Sequence, residues 1–150
     1  MTDTTNCHLS QDSLGFLIYR TALALRTALQ RTFADHGYGI TPEQWGIIRR
    51  LWEEEGLSQR EIGEKTFKDK PNITRMLDAL EARRLIFRQP DPRDRRKFCI
   101  YLTREGKQLY ESLCPLAQDL RERLTQNLAP REIDLLKETL NKIYRNTSSL

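Results

Sequence analysis

Between residues 70 and 104 the hydrophobic spacing changes period twice, and that change limits the local architecture more than any other feature of the chain. Ile73, Met76 or Leu77, and Leu80 recur at helical intervals, whereas residues 85–89 and 97–103 alternate as short strands do. A Pro- and Arg-rich turn, 90–96, separates the two strand patterns and is too polar to be buried. The spacing thus predicts a helix over 71–84 and then a two-stranded hairpin whose tip, 90–97, faces solvent. The same stretch holds ten Lys and Arg against four Asp and Glu, a balance of +6 in a chain of net charge +4. Charge gathered in one segment is the electrostatic footprint of a surface that meets phosphates.

The flanking sequence supplies start and stop signals for further helices. Residues 12–35 place Leu14, Ile18, Ala22, Leu25, Leu29 and Phe33 on one stripe, closed by the breaker His36-Gly37-Tyr38-Gly39. Thr41-Pro42-Glu43 offers an N-cap, a proline in the first turn and a first-turn acid to a helix carrying Trp45, Ile48, Leu51 and Trp52. Ser58-Gln59-Arg60-Glu61 is a capping box that opens a short helix through Ile62 to Thr66. Only residues 67–70 separate it from the helix at 71–84, for which Asp69 or Lys70 is the cap. Two helices joined by so short a turn match a helix-turn-helix, and the basic hairpin after the second makes it winged.

Beyond the hairpin, Thr103 is a candidate N-cap for a long helix running toward Asn127, with Pro115 expected to bend it. A last amphipathic segment starts at Ala129-Pro130 and carries Ile133, Leu136, Leu140 and Ile143. The expected fold is therefore mainly α with a small β-hairpin wing: a winged helix-turn-helix over 41–103 bracketed by helices at 12–35 and 104–147. With 31% charged residues and narrow apolar stripes, long helices of this kind often complete their burial against a second copy, which makes 12–35 and 104–147 the expected dimerisation region.

Three cysteines and two histidines form no CxxC pair or ligand cluster, so neither a metal nor a cofactor is expected. No apolar run approaches membrane-spanning length and the N-terminus has no signal-peptide pattern, pointing to a cytoplasmic protein with no membrane partner. No Gly-rich phosphate loop, nucleophile elbow or paired-carboxylate motif is present, so catalysis is not expected.

From Leu14 to Tyr144 the chain resembles the MarR family of bacterial transcription regulators. The residues that carry the resemblance are 41–51 (TPEQWGIIRRL), 57–64 (LSQREIGE), 69–81 (DKPNITRMLDALE) and, above all, 91–106 (DPRDRRKFCIYLTREG); their order and spacing together are specific. The resemblance implies an obligate homodimer with intertwined terminal helices, two winged lobes reading a palindromic operator, and often control by a small ligand. One departure is Arg84, where the family usually has Gly before the Leu that starts the wing strand. Either Arg84 takes a left-handed conformation at some strain or the helix ends differently.

Lys70, Pro71, Asn72, Thr74 and Arg75 are the outward residues at the N-terminal end of the reading helix. Arg75 has the donors to pair with guanine, Asn72 the donor and acceptor to pair with adenine, and the Pro71 ring suits a thymine methyl. In the wing, Arg93 and Arg96 are candidate phosphate contacts, and Lys97 is a further candidate DNA-binding residue. The resemblance places Arg95 in the minor groove and assigns Asp91 to pair with it or a neighbouring Arg. Trp45 and Trp52, seven residues apart, either pack in the core or line a cavity for a small aromatic or phenolic effector. His36 and Tyr38 would add polar contacts there, and Arg20 or Arg49 would supply a cation. Some family members sense hydroperoxides through an N-terminal cysteine within the first helix region, but Cys7 precedes that helix in a polar tail; Cys99 and Cys114 are expected to be small packing residues. The sequence thus points to a ligand-responsive repressor that binds double-stranded DNA as a homodimer at a pseudo-palindromic site. The alternatives are a winged-helix DNA-packaging or protein-interaction module without an operator, and a cysteine redox-sensing regulator.

Overall fold

A computed structural model describes residues 13–150, which form two compact units, one ending at Ala117 and the other spanning 118–150. In the first unit α1 (Leu14–Asp35) is followed by α2 (Pro42–Glu53), a two-residue strand β1 (Leu57–Ser58), α3 (Gln59–Thr66) and α4 (Lys70–Ala82). Strands β2 (Ile86–Pro90) and β3 (Phe98–Leu102) make the wing, and α5 (Arg104–Leu124) leads out of it, continuing as a helix through Pro115. In the second unit the last turns of α5 are followed by α6 (Pro130–Thr147), whose first turn is tied by Glu132 accepting the Ala129 N–H at 2.7 Å. Among the described residues no helix is long and apolar enough to cross a membrane.

The helix starts follow local side-chain chemistry. Thr41 and Ser58 both form reciprocal capping boxes, with Gln44 and Glu61 respectively, and Asp69 accepts the Asn72 N–H at 2.9 Å. Each such cap satisfies an otherwise orphaned amide and contributes about 1 kcal/mol. The hydrogen bonds from the Ser58 backbone and side chain hold the Glu61 carboxyl below the usual carboxylate range.

Three of the helix ends share one geometry. After α1, α3 and α4 the chain makes a paired closure in which the residue following the left-handed position reaches back five positions: Tyr38 to Phe33, Lys68 to Gly63 and Leu85 to Leu80. The residue at the left-handed position is Gly37 in the first case, but Phe67 and Arg84, both at φ +56°, in the others. Arg84 thus adopts the left-handed turn, and α4 ends where a glycine would have ended it.

The sheet has three strands in the order β1-β3-β2, not two. Leu57 pairs with Ile100 and Ser58 with Cys99, so the segment just before α3 is stitched to the wing. A two-residue strand shows no period, which is why alternation in the sequence does not reveal it. In the hairpin Ile86 pairs with Leu102 and Arg88 with Ile100. Ile86, Ile100 and Leu102 are buried and join a core built from Phe33, Ile47, Ile48, Leu51, Ile62, Ile73, Leu77, Leu80 and Leu113. At the exit of β3, Thr103 donates its hydroxyl to the Arg84 carbonyl at 2.7 Å, accepts the Gly106 N–H at 2.9 Å, and donates its own N–H to the Leu85 carbonyl at 3.0 Å. Gly106 is buried so close to that carbonyl that a Cβ would collide with it.

Replacing Arg84 by Gly is expected to raise the unfolding free energy by about 0.5–1 kcal/mol, the left-handed penalty less the entropy that glycine adds to the unfolded chain. Gly106→Ala is expected to lower it by about 1–3 kcal/mol through forced backbone displacement. Urea denaturation of the two variants checks both signs, and a Gly106→Ala variant as stable as the parent would refute the close packing.

Candidate nucleic-acid interface

The N-terminal end of α4 presents Lys70, Pro71 and Arg75 as exposed side chains, with Asn72 and Thr74 half-buried beside them. Their hydrogen bonds divide them into two groups. Thr74 donates to the Lys70 carbonyl at 2.8 Å and accepts from the Gln59 amide at 2.5 Å, so its hydroxyl ties α4 to α3. The Arg75 guanidinium donates to the Asn72 side-chain oxygen, joining the two candidate base-readers into one polar unit. The Asn72 oxygen has a second lone pair, so it can keep Arg75 and still accept from an adenine amino group while its own amide donates to the ring nitrogen. Lys70, Pro71 and Arg75 thus form the exposed edge, with Asn72 behind it. The edge borders a recess of about 430 Å³ whose lining includes Arg26, Glu43, Lys68, Asn72 and Arg75.

Arg26 reaches that recess from α1 and holds Glu43 in a two-point ion pair, Nε to Oε1 at 2.6 Å and Nη2 to Oε2 at 3.0 Å. The guanidinium hydrogen bond keeps the Glu43 carboxyl ionised and pulls it below the usual carboxylate range against the opposing effect of partial burial. The pair fixes the start of α2 to α1.

In the wing loop the two acids act mainly on the backbone. Asp91 accepts the Arg93 N–H at 2.7 Å, and its own N–H donates to the Lys97 carbonyl at 2.9 Å. Asp94 accepts the Arg96 N–H at 3.0 Å and the Arg96 Nε at 3.3 Å. Asp91 therefore engages the main chain of Arg93 rather than a guanidinium, and it is Asp94 that pairs with an arginine side chain. Local geometry explains the exchange: in so tight a turn an Asx-type bond to an amide two residues ahead is the shorter reach. Arg93, Arg95, Arg96 and Lys97 are all exposed, and the guanidinium groups of Arg93 and Arg95 have no hydrogen-bond or ion-pair partner among the described residues.

One residue connects these two surfaces. Arg88, midway along β2, reaches α4 and pairs with Asp78 at 2.7 Å and with Glu81. The sequence carried a signal for it: Arg88 stands at the alternation position shared with buried Ile86, where a strand facing a core would carry an apolar residue.

The residues considered for an effector are partly brought together. Tyr110 of α5 lies between the two indoles of α2, with ring centroids 5.3 Å from Trp45 and 4.3 Å from Trp52 and near-parallel planes. The space between the tryptophans is thus filled by a residue that sequence reading did not single out, because the contact joins segments nearly sixty residues apart. Trp45 is 8% exposed and Trp52 39% exposed, so one end of the stack is in the core and the other is open. Burial, and then the neighbouring Cys114 thiol at 3.7 Å, push the Tyr110 hydroxyl pKa up. Arg49 pairs with Glu53, Arg20 lies over Phe16, Tyr38 packs on the core, and His36 Nδ1 contacts the Thr32 carbonyl at 2.8 Å. Cys99 and Cys114 are half-buried free thiols; Cys7 lies outside the described residues. Among the described residues no cluster of His, Cys, Asp and Glu is placed to hold a metal ion.

This arrangement has known counterparts. Residues 38–97 match the model of the MarR family. The chain is similar to the HTH-type transcriptional regulator TtmR of Methylorubrum extorquens (strain PA1), 38% identical over 64% of this chain and about half (48%) of that protein's length. It is also similar to the HTH-type transcriptional regulator FarR of Neisseria gonorrhoeae, 29% identical over 74% of this chain and 76% of that one. Among solved structures, the transcriptional repressor CouR bound to a 23-mer DNA duplex superposes with a TM-score of 0.82 at 29% identity, covering 93% of this chain and 99% of CouR. The chain is thus similar to MarR-family transcriptional regulators, through the family match over 38–97 and through the fold that it shares with CouR over most of its length.

Proposed function

We propose that this chain represses transcription by binding double-stranded DNA as a homodimer at a pseudo-palindromic operator, with α4 in the major groove and the wing in the adjacent minor groove. The observation that carries the reading is the wing tip, where both acids hold the loop and the Arg93 and Arg95 guanidinium groups are left without a protein partner among the described residues. An arginine held out on a rigid hairpin suits the enhanced negative potential of a narrow A·T-rich minor groove. Beside it, Lys70, Pro71 and Arg75 offer charge and shape to base edges and phosphates. That CouR, which shares the fold, is bound to a 23-mer DNA duplex supports duplex DNA as the partner.

The homodimer is supported by the apolar residues that α1 and α6 leave uncovered, among them Leu14, Tyr19, Leu23 and Leu25 on the first and Leu135, Leu136 and Tyr144 on the second. Helices with so much exposed apolar surface are stabilised by a second copy, and the segments 12–35 and 104–147 are assigned that role. Two-fold symmetry then sets the half-site centres about one DNA turn apart, roughly 34–36 Å. A small aromatic or phenolic effector, for which the open end of the Trp45–Tyr110–Trp52 stack is the assigned contact surface, releases the operator only if it binds better to a lobe spacing that misfits that site.

DNA selected by the purified protein from a random pool is expected to contain a palindrome. A sequence-blind product, bound with affinity that collapses as salt rises, would turn the reading into DNA packaging. On the selected site Arg95→Ala is expected to lose more than about 1 kcal/mol of specific binding, read by fluorescence anisotropy at physiological salt. Arg93→Ala is expected to weaken all sequences alike and to reduce the salt slope by about one; equal losses for both variants on specific and random DNA would remove the wing from sequence recognition.

A further inference from the structure

We infer that Arg88 is a positioning residue that locks the wing to the reading helix, so that α4 and the wing tip reach DNA in a fixed register. The inference rests on the DNA-binding reading above. Arg88 shares its strand face with Ile86, and its side chain is only 18% exposed, its stem running along the inner side of the hairpin. The guanidinium leaves that face toward α4, where Nη2 meets Asp78 at 2.7 Å and Nη1 meets Glu81. Asp78 and Glu81 are three residues apart and so lie on one face of the helix, one acid for each arm of a planar fork.

The mechanical consequence follows from the chain path. Helix α4 and strand β2 are joined covalently only through residues 83–85, where Arg84 occupies a left-handed conformation. The shared core and the Thr103 clasp seat the base of the hairpin against α4, and a further attachment out along β2 fixes the angle at which the tip projects. Arg88 supplies it two residues before β2 ends at Pro90, near the base of the projecting tip. The same contact covers charge, since Asp78 is exposed on α4 and Glu81 lies half-exposed a turn later, and both would repel phosphate.

These two roles, positioning and charge cover, predict opposite results for one variant. In Asp78→Asn/Glu81→Gln, where both acceptors are neutral and Arg88 is kept, charge cover alone predicts tighter DNA binding. Positioning predicts that the wing stops contributing. The experiment is a double-mutant cycle against Arg95→Ala on the selected operator, in the parent, in Arg88→Gln and in Asp78→Asn/Glu81→Gln, with thermal melts of each protein. In the parent, Arg95→Ala is expected to weaken binding about fivefold or more, the equivalent of about 1 kcal/mol. In the other two backgrounds the same substitution is expected to change binding by less than about twofold, because the tip is no longer held in register. The Asp78→Asn/Glu81→Gln protein keeps Arg88 and alters only surface groups, so the cycle can be read even where Arg88→Gln unfolds. An undiminished Arg95→Ala effect in that background overturns the positioning role and leaves the wing reading intact. An Arg95→Ala substitution without effect in the parent overturns the wing reading itself, and this inference with it.

Discussion

The reading half of the molecule depends on the crossing of residues 84–85 and 103–106. There the end of α4, the start of β2, the end of β3 and the start of α5 meet within a few hydrogen bonds, all organised by Thr103 and the carbonyls of Arg84 and Leu85. Thr103 is at once the cap of α5 and the clasp of the turn that ends α4, and Gly106 allows the two backbones to approach closely enough for this. The strain of a left-handed arginine is tolerated because buried neighbours on both sides, Leu80, Ile86, Ile100 and Leu102, determine where the chain must turn. A glycine at 84 would make the turn easier, but the surrounding core specifies it without one.

Electrostatics follows the same division between structure and surface. In the stretch from 70 to 104 every acid is engaged locally. Asp78 and Glu81 hold Arg88, Asp91 and Asp94 close the wing loop, and Asp69 just before the stretch caps α4. The exposed arginines at the wing tip retain most of their charge for a partner outside the molecule. A net excess of +6 along the sequence becomes in three dimensions a scaffold of internally satisfied carboxylates that leaves the Arg93 and Arg95 guanidinium groups without a partner among the described residues. Single surface ion pairs of this kind contribute little stability, at most about 1 kcal/mol, so their arrangement bears more on geometry than on folding energy.

The aromatic stack shows how core and binding surface merge. Phe33 packs edge-on against Trp45 at 5.7 Å, Trp45 stacks on Tyr110, and Tyr110 stacks on Trp52, running from the fully buried end of α1 to solvent. The choice between core packing and ligand lining for the two tryptophans thus divides by residue: Trp45 is core, whereas Trp52 and the Tyr110 ring offer aromatic surface at the open end. Each of these ring contacts, edge-on or stacked, adds about 0.5–1.5 kcal/mol beyond burial, coupling α1 and α2 to the first half of α5.

By itself the sequence determined the elements that rest on local chemistry. Capping boxes at Thr41 and Ser58, the proline after Asp69, the helical spacing of Ile73, Leu77 and Leu80, and the alternation around the basic loop are written in neighbouring residues, and the helices and hairpin formed where those signals stand. Only the tertiary structure decided what depends on residues distant in the chain. The strand at Leu57–Ser58 exists because β3 offers it hydrogen bonds, Thr74 turns toward Gln59, Tyr110 fills the gap between two tryptophans, and Arg88 finds Asp78 and Glu81. Periodicity assigns a residue to a face, but which partner waits opposite that face is set by how the core brings separate elements together.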